Sequence, residues 1–447
     1  MSVSPSDVWA NLQYGAQNGV GANRSASQRP ALAFEAMEGT AADLADWASS
    51  GAMALTGAAD GPPSPAPARL ASACRAAAAD LAAETVKWGE RVDVDGPALL
   101  GERAAITGMT RNGSTSVGGA ARFVAMADGW AAINLPRPED VASLPALISR
   151  DVATDDWPAI ESGLRQMTGQ ALIEQATLLG MAVGVDQAAA KPVSPVRELS
   201  SGGARLTSDA PLIVDLTSLW AGPLATGLLA CAGARVIKVE GRGRADGARR
   251  GARAFFDLLN HAKQCLELDF KDPGDVGLLH RLIAAADLVV EGSRPRVMDQ
   301  LGIDPAVVAR NGTAWLSITA HGRNGPAADR VGFGDDAAVT GGLILAGHPP
   351  MFVADAVADP LTGLIAAVAG AAQLASDRAS VVEVPLAHVA AWADRGRVQT
   401  AVHRDREQWL VEIDDDRAVV EHPRHRPIPA PAAPSGAHDE LLRAEFG

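Results

Sequence analysis

The alternation of apolar and polar positions between residues 211 and 390 predicts strands separated by helices. Two apolar runs, 212–216 and 236–240, flank an amphipathic segment at 222–232. A strand, a helix and a second strand at this spacing form a βαβ unit, which belongs to a parallel sheet. Further strands are predicted at 266–268, 287–291, 314–318 and 381–385, and further helices at 274–285, 305–310 and 361–375. This pattern is typical of a doubly wound α/β domain with a parallel sheet.

Ligands of such sheets bind beyond the carboxyl ends of the strands, which here are residues 217–220 and 240–244. A nicotinamide dinucleotide would require GxGxxG in the first strand-to-helix turn. That turn reads SLWAGPLAT and lacks the spacing. Gly241, Gly243 and Gly247 follow the second strand, which is the wrong turn. A nicotinamide site is therefore not predicted.

A smaller α+β unit is predicted over residues 90–185. Its centre, ARFVAMADGWAAINL, predicts strands at 121–126 and 130–135 around an Asp128-Gly129 turn. Asp-Gly between two apolar runs is a strong hairpin signal. Helices are predicted to follow at 155–167 and 169–179.

A weak internal repeat relates residues 46–83 to residues 335–375. Both segments begin with an acidic residue and continue through glycines, an aliphatic run and a Pro-Pro pair to an Ala-rich helix. The similarity extends to predicted strands at 91–94 and 381–384. We interpret this ordered succession as a duplication in which the first copy has lost parts.

Charge and cysteine content narrow the functional classes. The 447 residues carry a formal net charge of −14, so an extended nucleic-acid surface is not expected. Only three cysteines occur, which favours a reduced, cytoplasmic protein. The sequence also predicts no signal peptide, no membrane-spanning segment and no metal site.

Asp359 is the strongest candidate for chemistry. It precedes Pro360 and the helix predicted from Leu361, an arrangement typical of a helix N-cap. Capping and catalysis are compatible interpretations, because helix N–H groups hold a carboxylate charged and oriented. A carboxylate of this kind can attack an activated acyl group. The first repeat has no carboxylate at the matching place, where Ala71 to Ala73 stand.

Six segments follow one another in a recognisable order between residues 211 and about 390. They read LIVDLTSLWAGPLAT, GARVIKVE, NHAKQCLELDFKDP, DLVVEGSRPRVMDQLGI, SITAHGRNGP and VADPLTGLIAA. Together they resemble the class III CoA-transferase family, which includes formyl-CoA transferase, carnitine CoA-transferase and α-methylacyl-CoA racemase. STSVGGAARF and ADGWAAINL resemble the small domain of that family, although here it precedes the sheet domain.

The resemblance implies an acyl-CoA:carboxylate CoA-transferase that uses coenzyme A as a substrate and has no permanently bound cofactor. It implies that Asp359 is the catalytic residue and forms an aspartyl-CoA thioester. The implied CoA contacts are Leu219, Trp220, Arg242, Asn260, Lys263, Ser293, Arg294 and Arg323. The implied glycine loop for oxyanions is Val117, Gly118 and Gly119. The implied assembly is a homodimer.

The resulting domain prediction combines the repeat with the resemblance. It assigns 1–89 to a degenerate first copy, 90–186 to the small domain, 187–208 to a linker, 209–395 to a Rossmann-like CoA-binding catalytic domain and 396–447 to a tail.

Two departures from the family keep alternatives open. Gly241 stands where many members have arginine, and Phe333 follows Gly332 where racemases have histidine. Asp335 or Asp336 could act as the second proton carrier that a racemase needs. An α-methylacyl-CoA racemase and a non-catalytic CoA-binding subunit therefore remain as alternatives to the transferase.

Overall fold

The structure, a computed structural model, describes residues 40–186, 194–205, 208, 210–393, 398 and 400–447. Its strands are β1 (Ala121–Ala125), β2 (Trp130–Asn134), β3 (Ala182–Val185), β4 (Arg197–Ala204), β5 (Leu212–Leu216), β6 (Arg235–Gly241), β7 (Gln264–Leu268), β8 (Leu288–Glu291), β9 (Ala314–Thr319), β10 (Arg378–Pro385), β11 (Val402–Asp405), β12 (Gln408–Ile413) and β13 (Asp416–Val419). Its α-helices are α1 (Ala41–Ser49), α2 (Arg69–Thr85), α3 (Glu102–Thr107), α4 (Pro138–Ala142), α5 (Leu144–Leu147), α6 (Trp157–Leu164), α7 (Gly169–Leu179), α8 (Ala221–Cys231), α9 (Arg253–Asn260), α10 (Pro273–Ala285), α11 (Pro295–Gln300), α12 (Pro305–Arg310), α13 (Gly334–Thr340), α14 (Ala358–Ala375), α15 (Leu386–Trp392) and α16 (Asp439–Phe446).

A seven-stranded sheet organises the larger part of the molecule. Its strand order is β4-β10-β9-β8-β5-β6-β7, and all neighbours are parallel except β4, which pairs antiparallel with β10. Counted from β5, the six parallel strands have the order 3-2-1-4-5-6 of doubly wound sheets. The direction of winding reverses between β5 and β8, so the loops after these strands form the expected ligand crevice. The predicted fold class is confirmed.

The sequence pattern located the regular elements of this domain well. All six predicted strands and all four predicted helices are present within three residues of their expected ends. The predicted hairpin is also present, as β1 and β2 paired antiparallel. The pattern missed four short helices, because each has only six to eight residues, fewer than the roughly 11 or more over which a helical period can be recognised. They are α9, α11, α13 and α15.

The predicted linker is wrong in part, because Arg197–Ala204 forms the edge strand β4. Gly202 and Gly203 lie so close to the end of α12 that a Cβ atom would be 2.3 Å from the Ala309 oxygen and 2.2 Å from the Arg310 oxygen. These glycines therefore permit close packing where the sequence indicated a flexible connection. Residues 187–193 and 206–207 of the predicted linker lie outside the described residues.

The first repeat shares one hydrophobic core with the sheet domain. Helix α2 packs against α14, and Trp88 Nε1 donates to the Ala371 oxygen at 3.1 Å. The predicted strand at 91–94 is absent, since residues 90–95 have no regular secondary structure. Residues 1–39 of the predicted first copy lie outside the described part of the chain.

Helix α14 is the core helix between these parts. Among the described helices it alone is long and apolar enough to cross a membrane, and nearly all of it is buried inside the protein. The first repeat and the sheet domain thus enclose the helix that carries Asp359.

The small domain has a core of its own beneath the sheet β1-β2-β3. It contacts the large domain mainly where β3 meets α13. A Cβ atom on Gly184 would lie 2.1 Å from the Asp336 oxygen, so only glycine permits this approach. The small domain is thereby seated beside the acidic start of α13.

The predicted tail contains more regular structure than a tail requires. Strands β11, β12 and β13 form an antiparallel meander. After an irregular Pro-rich segment, α16 packs on β7 and α10, and the His438 N–H donates to the Cys265 oxygen at 3.1 Å. The end of the chain therefore covers one edge of the large sheet.

Candidate active site

Asp359 lies in the first turn of α14, which begins one residue earlier, at Ala358. The prediction that Asp359 is the N-cap is therefore wrong: Val357 occupies the N-cap position and makes no side-chain cap. The Asp359 carboxylate instead accepts a hydrogen bond from the Gly334 N–H at 3.2 Å. It thus bridges the starts of two helices, α13 and α14, and its side chain is partly exposed.

Three further aspartates surround this carboxylate. Asp335 and Asp336 lie in the first turn of α13, and Asp355 lies four residues before Asp359; all three are buried. Burial, with the neighbouring Asp355, raises the pKa of Asp335 to about 7. Burial also raises the pKa of Asp336 to about 6. Such shifts are typical of groups that exchange protons or act as nucleophiles near neutral pH.

The pKa of Asp359 results from opposing effects. Burial raises it to about 7, and the negative charges of Asp336 and Asp355 add to the increase. The guanidinium of Arg103 and the Gly334 N–H lower it. Near pH 7 this carboxyl group is thus divided between its protonated and ionised forms.

Arg103 is the cation of this cluster, and it comes from α3 in the N-terminal part of the chain. Its Nε donates to Asp355 Oδ2 at 2.8 Å and its Nη2 to Asp355 Oδ1 at 2.5 Å. The guanidinium also lies over the Trp220 ring, 4.8 Å from its centroid. Arg103 therefore connects the acidic cluster with the loop after β5.

The predicted glycine loop lies beside Arg103. A Cβ atom on Gly118 would be 3.1 Å from Arg103 Nη2. The Gly119 N–H donates to the Ser116 oxygen at 2.8 Å, so this group is already engaged. Within the described chain, the N–H groups of Val117 and Gly118 have no such partner. Of the predicted loop, these two can donate to a ligand.

The loop after β5 has a defined conformation. Leu219 has a left-handed backbone, with φ +71°, and its N–H donates to Asp246 Oδ1 at 2.9 Å. Its side chain is 40% exposed. Trp220 is buried and packs edge-on against Phe255, with ring centroids 5.0 Å apart. Leu219 therefore faces solvent, while Trp220 forms the wall behind it.

Asn260 and Lys263 do not face the crevice, contrary to the prediction that they contact CoA. Lys263 Nζ donates at 2.9 Å to Asp215, to the Pro223 oxygen and to Asn260 Oδ1, and it is buried. Asn260 is likewise buried and donates to the Phe256 oxygen at 3.0 Å. Since Asp215 is a buried carboxylate in the central strand, its need for a cation explains the inward orientation of Lys263.

The predicted contacts after β8 and β9 divide into two kinds. Ser293 donates through its N–H and hydroxyl to Glu291 Oε2, and Arg323 forms an ion pair with the same buried carboxylate. These two residues fix the shape of the loops. Arg294 instead remains partly exposed, and burial and the neighbouring Arg296 lower its pKa.

An exposed basic patch lies at this edge of the sheet. Arg244 acts electrostatically on Arg294 and Arg296 is its neighbour, and none of the three forms an ion pair with a described residue. Arg242 is also exposed, but Glu267 and Asp269 lie 3.6 Å and 4.0 Å from it. Asp329 acts electrostatically on Arg294, but the three arginines that form no ion pair are the more suitable ones for binding an anion.

Sequence reasoning missed Arg103, Asp355 and Arg296 as parts of this site, whereas Arg244 lies in the predicted ligand segment 240–244. Arg296 follows the SRP motif by one position, so the local signal for it was present. Arg103 had no local signal, because it lies 252 residues from its partner Asp355.

Comparison with known proteins connects this geometry to a family. Residues 211–411 match the profile described as CoA-transferase family III. The acetyl-CoA:oxalate CoA-transferase of Acetobacter aceti is 33% identical over 128 residues, which are 27% of this chain and 33% of that protein. The human succinyl-CoA:glutarate CoA-transferase is 33% identical over 168 residues, which are 34% of this chain and 38% of that protein. The resemblance seen in the six sequence segments is thereby confirmed.

The matches are partial. The chain spans about a third to two fifths of the length of the curated relatives it matches. Among solved structures, a hypothetical protein from Mycobacterium tuberculosis has 26% identity and a TM-score of 0.41, over 47% of this chain and 65% of that one. A CAIB/BAIF family protein from Brucella suis has 27% identity and a TM-score of 0.37, over 40% of this chain and 53% of that one.

Proposed function

We propose that this chain, of which residues 211–411 belong to CoA-transferase family III, transfers CoA from an acyl-CoA thioester to a free carboxylic acid. The observation that carries the proposal is the partly exposed Asp359, with its pKa raised to about 7 and a guanidinium beside it. The relatives are named for formyl, acetyl and succinyl donors and for oxalate and glutarate acceptors. Small acids of this kind are the first substrates to examine.

The reaction proceeds through covalent intermediates on Asp359. Its carboxylate oxygen attacks the thioester carbonyl, the C–S bond breaks, and CoA thiolate leaves a mixed anhydride. The thiolate attacks the Asp359 carbonyl and releases the donor acid, which leaves an aspartyl-CoA thioester. The acceptor carboxylate attacks this thioester and expels the thiolate, which then attacks the acceptor carbonyl and regenerates Asp359. Each displacement has a lower barrier than direct exchange.

The surrounding groups suit these steps. Arg103 favours the ionised form of Asp359, which is the nucleophile, and burial of the site strengthens this interaction. The unengaged N–H groups of Val117 and Gly118 are the donors for oxyanions that develop on the acyl carbonyl. Water is kept from the anhydride by the apolar packing of α14 and the Trp220 wall.

CoA lies across the crevice between the ends of β5 and β8. Its phosphates pair with the patch formed by Arg244, Arg294 and Arg296, because guanidinium groups bind phosphate oxygens in a bidentate manner. Its pantetheine arm passes the exposed side chain of Leu219 toward Asp359. Ser293 and Arg323 support the loops, and Arg242 contributes at the rim.

Activity of the purified full chain with paired donors and acceptors tests the proposal. We expect transfer of CoA from at least one of formyl-, acetyl- and succinyl-CoA to oxalate or glutarate, measured by mass spectrometry of the CoA esters. Asp359→Asn is expected to abolish it. Asp304→Asn, which removes only the charge of an exposed helix cap of α12, is the control and is expected to retain it. Full transfer by Asp359→Asn would refute the proposal.

A second function is favoured by one observation, the raised pKa of Asp335 near 7, with Asp359 among its causes. Two such carboxyl groups are what racemisation at the α-carbon of an acyl-CoA requires. Deuterium incorporation at that carbon from D₂O, without an acceptor acid, identifies the racemase. Its absence during active transfer identifies the transferase.

The oligomeric state and the cellular location of the protein are also part of the proposal. We propose a cytoplasmic homodimer that binds neither nucleic acid nor membranes. The family resemblance supports the dimer, and free thiols at Cys74, Cys231 and Cys265 support a reducing compartment. Light scattering of the purified chain measures the oligomeric state, and fractionation of the source cells measures the cellular location.

A further inference from the structure

The loop that leads to Asp359, residues 352–356, is held by residues from the N-terminal part of the chain. The Phe352 N–H donates to the Gly113 oxygen at 3.0 Å. The Ala354 N–H donates to Thr56 Oγ1 at 3.0 Å, and both residues are buried. The partners Gly113 and Thr56 lie outside residues 211–411, the part of the chain that matches the family.

The conformation of this loop requires such support. Ala354 and Ala356 have φ values of +48° and +44°, a left-handed region that is unfavourable for residues with a Cβ atom. Residues in this region persist where the surrounding structure determines them, and they occur frequently at functional sites. The two flank Asp355, so the unfavourable backbone directs this carboxylate toward Arg103.

Arg103 is fixed from three directions by groups of different segments. Asp355 holds its Nε and Nη2, the Trp220 ring lies under its plane, and Gly118 leaves room beside Nη2. A guanidinium fixed in this way is a constant positive charge beside the acidic cluster, and it loses little freedom when a substrate binds.

We propose that three residues of the N-terminal part of the chain, Thr56, Arg103 and Gly113, complete the active site, and that Arg103 is the positioning residue that places a fixed positive charge beside Asp359. The first repeat is then not a degenerate remnant, because its Thr56 holds the loop before Asp359. Arg103 and Gly113, which follow the repeat in the chain, supply the charge and the second loop contact. This inference rests on the proposed function of Asp359, and it adds an element from outside residues 211–411.

The charges that face Asp359 agree with this role. They are Arg103 from α3, Asp335 and Asp336 from α13, and Asp355 from the preceding loop. Burial favours the protonated form of Asp359, whereas Arg103 favours the ionised form. The effect of Arg103 exceeds that of each aspartate. Without Arg103, the three carboxyl groups and the partial burial of Asp359 would all favour its protonated, non-nucleophilic form.

The test measures the pKa of Asp359 directly, by ¹³C NMR of protein labelled at the aspartate carboxyl carbon. The signal is assigned by its absence in Asp359→Asn. The variants are Arg103→Gln, Arg103→Lys, and Arg103→Gln combined with Asp355→Asn, which avoids an unpaired buried carboxylate. The control is Arg75→Gln, which removes an exposed ion pair with Asp46 in the same N-terminal part.

We expect Arg103→Gln to raise the pKa of Asp359 by about one unit, since an opposite charge nearby lowers a carboxyl pKa by roughly 1–3 units. At pH 7 the transfer rate then falls about fivefold, and the deficit shrinks above pH 8. In the double variant the pKa of Asp359 also rises, because Arg103 affects this pKa more than Asp355 does. Arg103→Lys keeps the positive charge and therefore the pKa of Asp359. Arg75→Gln changes neither this pKa nor the transfer rate.

An unchanged pKa of Asp359 in both Arg103→Gln and the double variant would overturn the inference, whatever the transfer activity. A loss of activity in Arg103→Lys with a normal pKa would do the same, because it would assign Arg103 a purely structural role. Failure of the proposed function is a different result: the wild-type chain would transfer no CoA, while the pKa comparison would still decide the role of Arg103.

Discussion

Arg103 and Asp355 form a bidentate ion pair between residues 252 positions apart, with Nε–Oδ2 at 2.8 Å and Nη2–Oδ1 at 2.5 Å. The aspartate side chain is fully buried and the arginine side chain is 27% exposed. The pair therefore joins the N-terminal part of the chain to the loop before Asp359 and sets the charge of the site.

Breaking this pair on one side should destabilise the protein strongly. Asp355→Asn leaves the guanidinium without its buried partner, and we expect the free energy of unfolding to fall by about 3–5 kcal/mol. Urea denaturation of the single variants and of Arg103→Gln with Asp355→Asn measures the coupling. The double variant should lose less than the sum of the single losses. Additive losses would show that the two residues do not act as a pair.

The buried charge of Asp336 should make stability depend on pH. Its folded pKa of about 6 exceeds the ordinary 3.8, so its stabilising contribution is complete below 3.8 and is lost as pH rises through 6. Asp336→Asn removes the charge, while its amide oxygen can still accept from Asn134 and from the Phe333 N–H. We expect a gain of about 3 kcal/mol at pH 8 and little change at pH 4.

The same variant should move the activity profile, since Asp336 raises the pKa of Asp359. The acidic limb of kcat/KM should shift to lower pH. Arg330 and the buried, unpaired ring of His321 also face Asp336, so Arg330→Gln should move the stability profile in the opposite direction. Equal stability of Asp336→Asn and wild type at both pH values would contradict this account.

Gly334 is required for the close approach of α13 to Asp359. A Cβ atom there would lie 2.3 Å from the Ala356 oxygen and 2.7 Å from Asp359 Oδ2. We expect Gly334→Ala to lower kcat about a hundredfold through displacement of the carboxylate. Gly277→Ala is the matched control: it lies in α10, where the nearest atom is Arg281 Nη1 at 3.4 Å. It should stabilise the helix by roughly 1 kcal/mol and leave kcat unchanged.

Lys263 should matter for stability and not for CoA affinity. Burial lowers its pKa to about 8, and its ammonium compensates the Asp215 carboxylate at 2.9 Å. Lys263→Met should therefore reduce the free energy of unfolding by about 3–5 kcal/mol. Calorimetry at low temperature should give a CoA dissociation constant close to that of the wild type. Normal stability with much weaker CoA binding would restore Lys263 as a direct contact.

The regular elements could be predicted because their signals are local. Strands such as Leu212–Leu216 are buried on both faces and appear as continuous apolar runs. Asp359 was found because it precedes Pro360 at a predicted helix start and because the VADPLTGLIAA segment resembles the family. The edge strand Arg197–Ala204 was missed because serine and glycine disfavour strands, and its pairing with β10 decides its conformation.

The direction of a basic side chain could not be read from the sequence. Lys263 and Arg294 both follow turns near strand ends, yet one faces the buried Asp215 and the other faces solvent. The difference lies in which carboxylate the fold brings near, and that is a tertiary contact. Arg103 was missed for the same reason, since its partner Asp355 belongs to another part of the chain.

The central claim is that Asp359 becomes covalently linked to CoA during turnover. Rapid quenching of the full chain with an acyl-CoA donor, followed by digestion and mass spectrometry, measures it most directly. The account predicts that the peptide containing Asp359 gains the mass of CoA minus water, and that hydroxylamine converts this adduct to a hydroxamate at the same residue. A chain that transfers CoA while Asp359 remains unmodified, or that carries the adduct on Asp335, would contradict it.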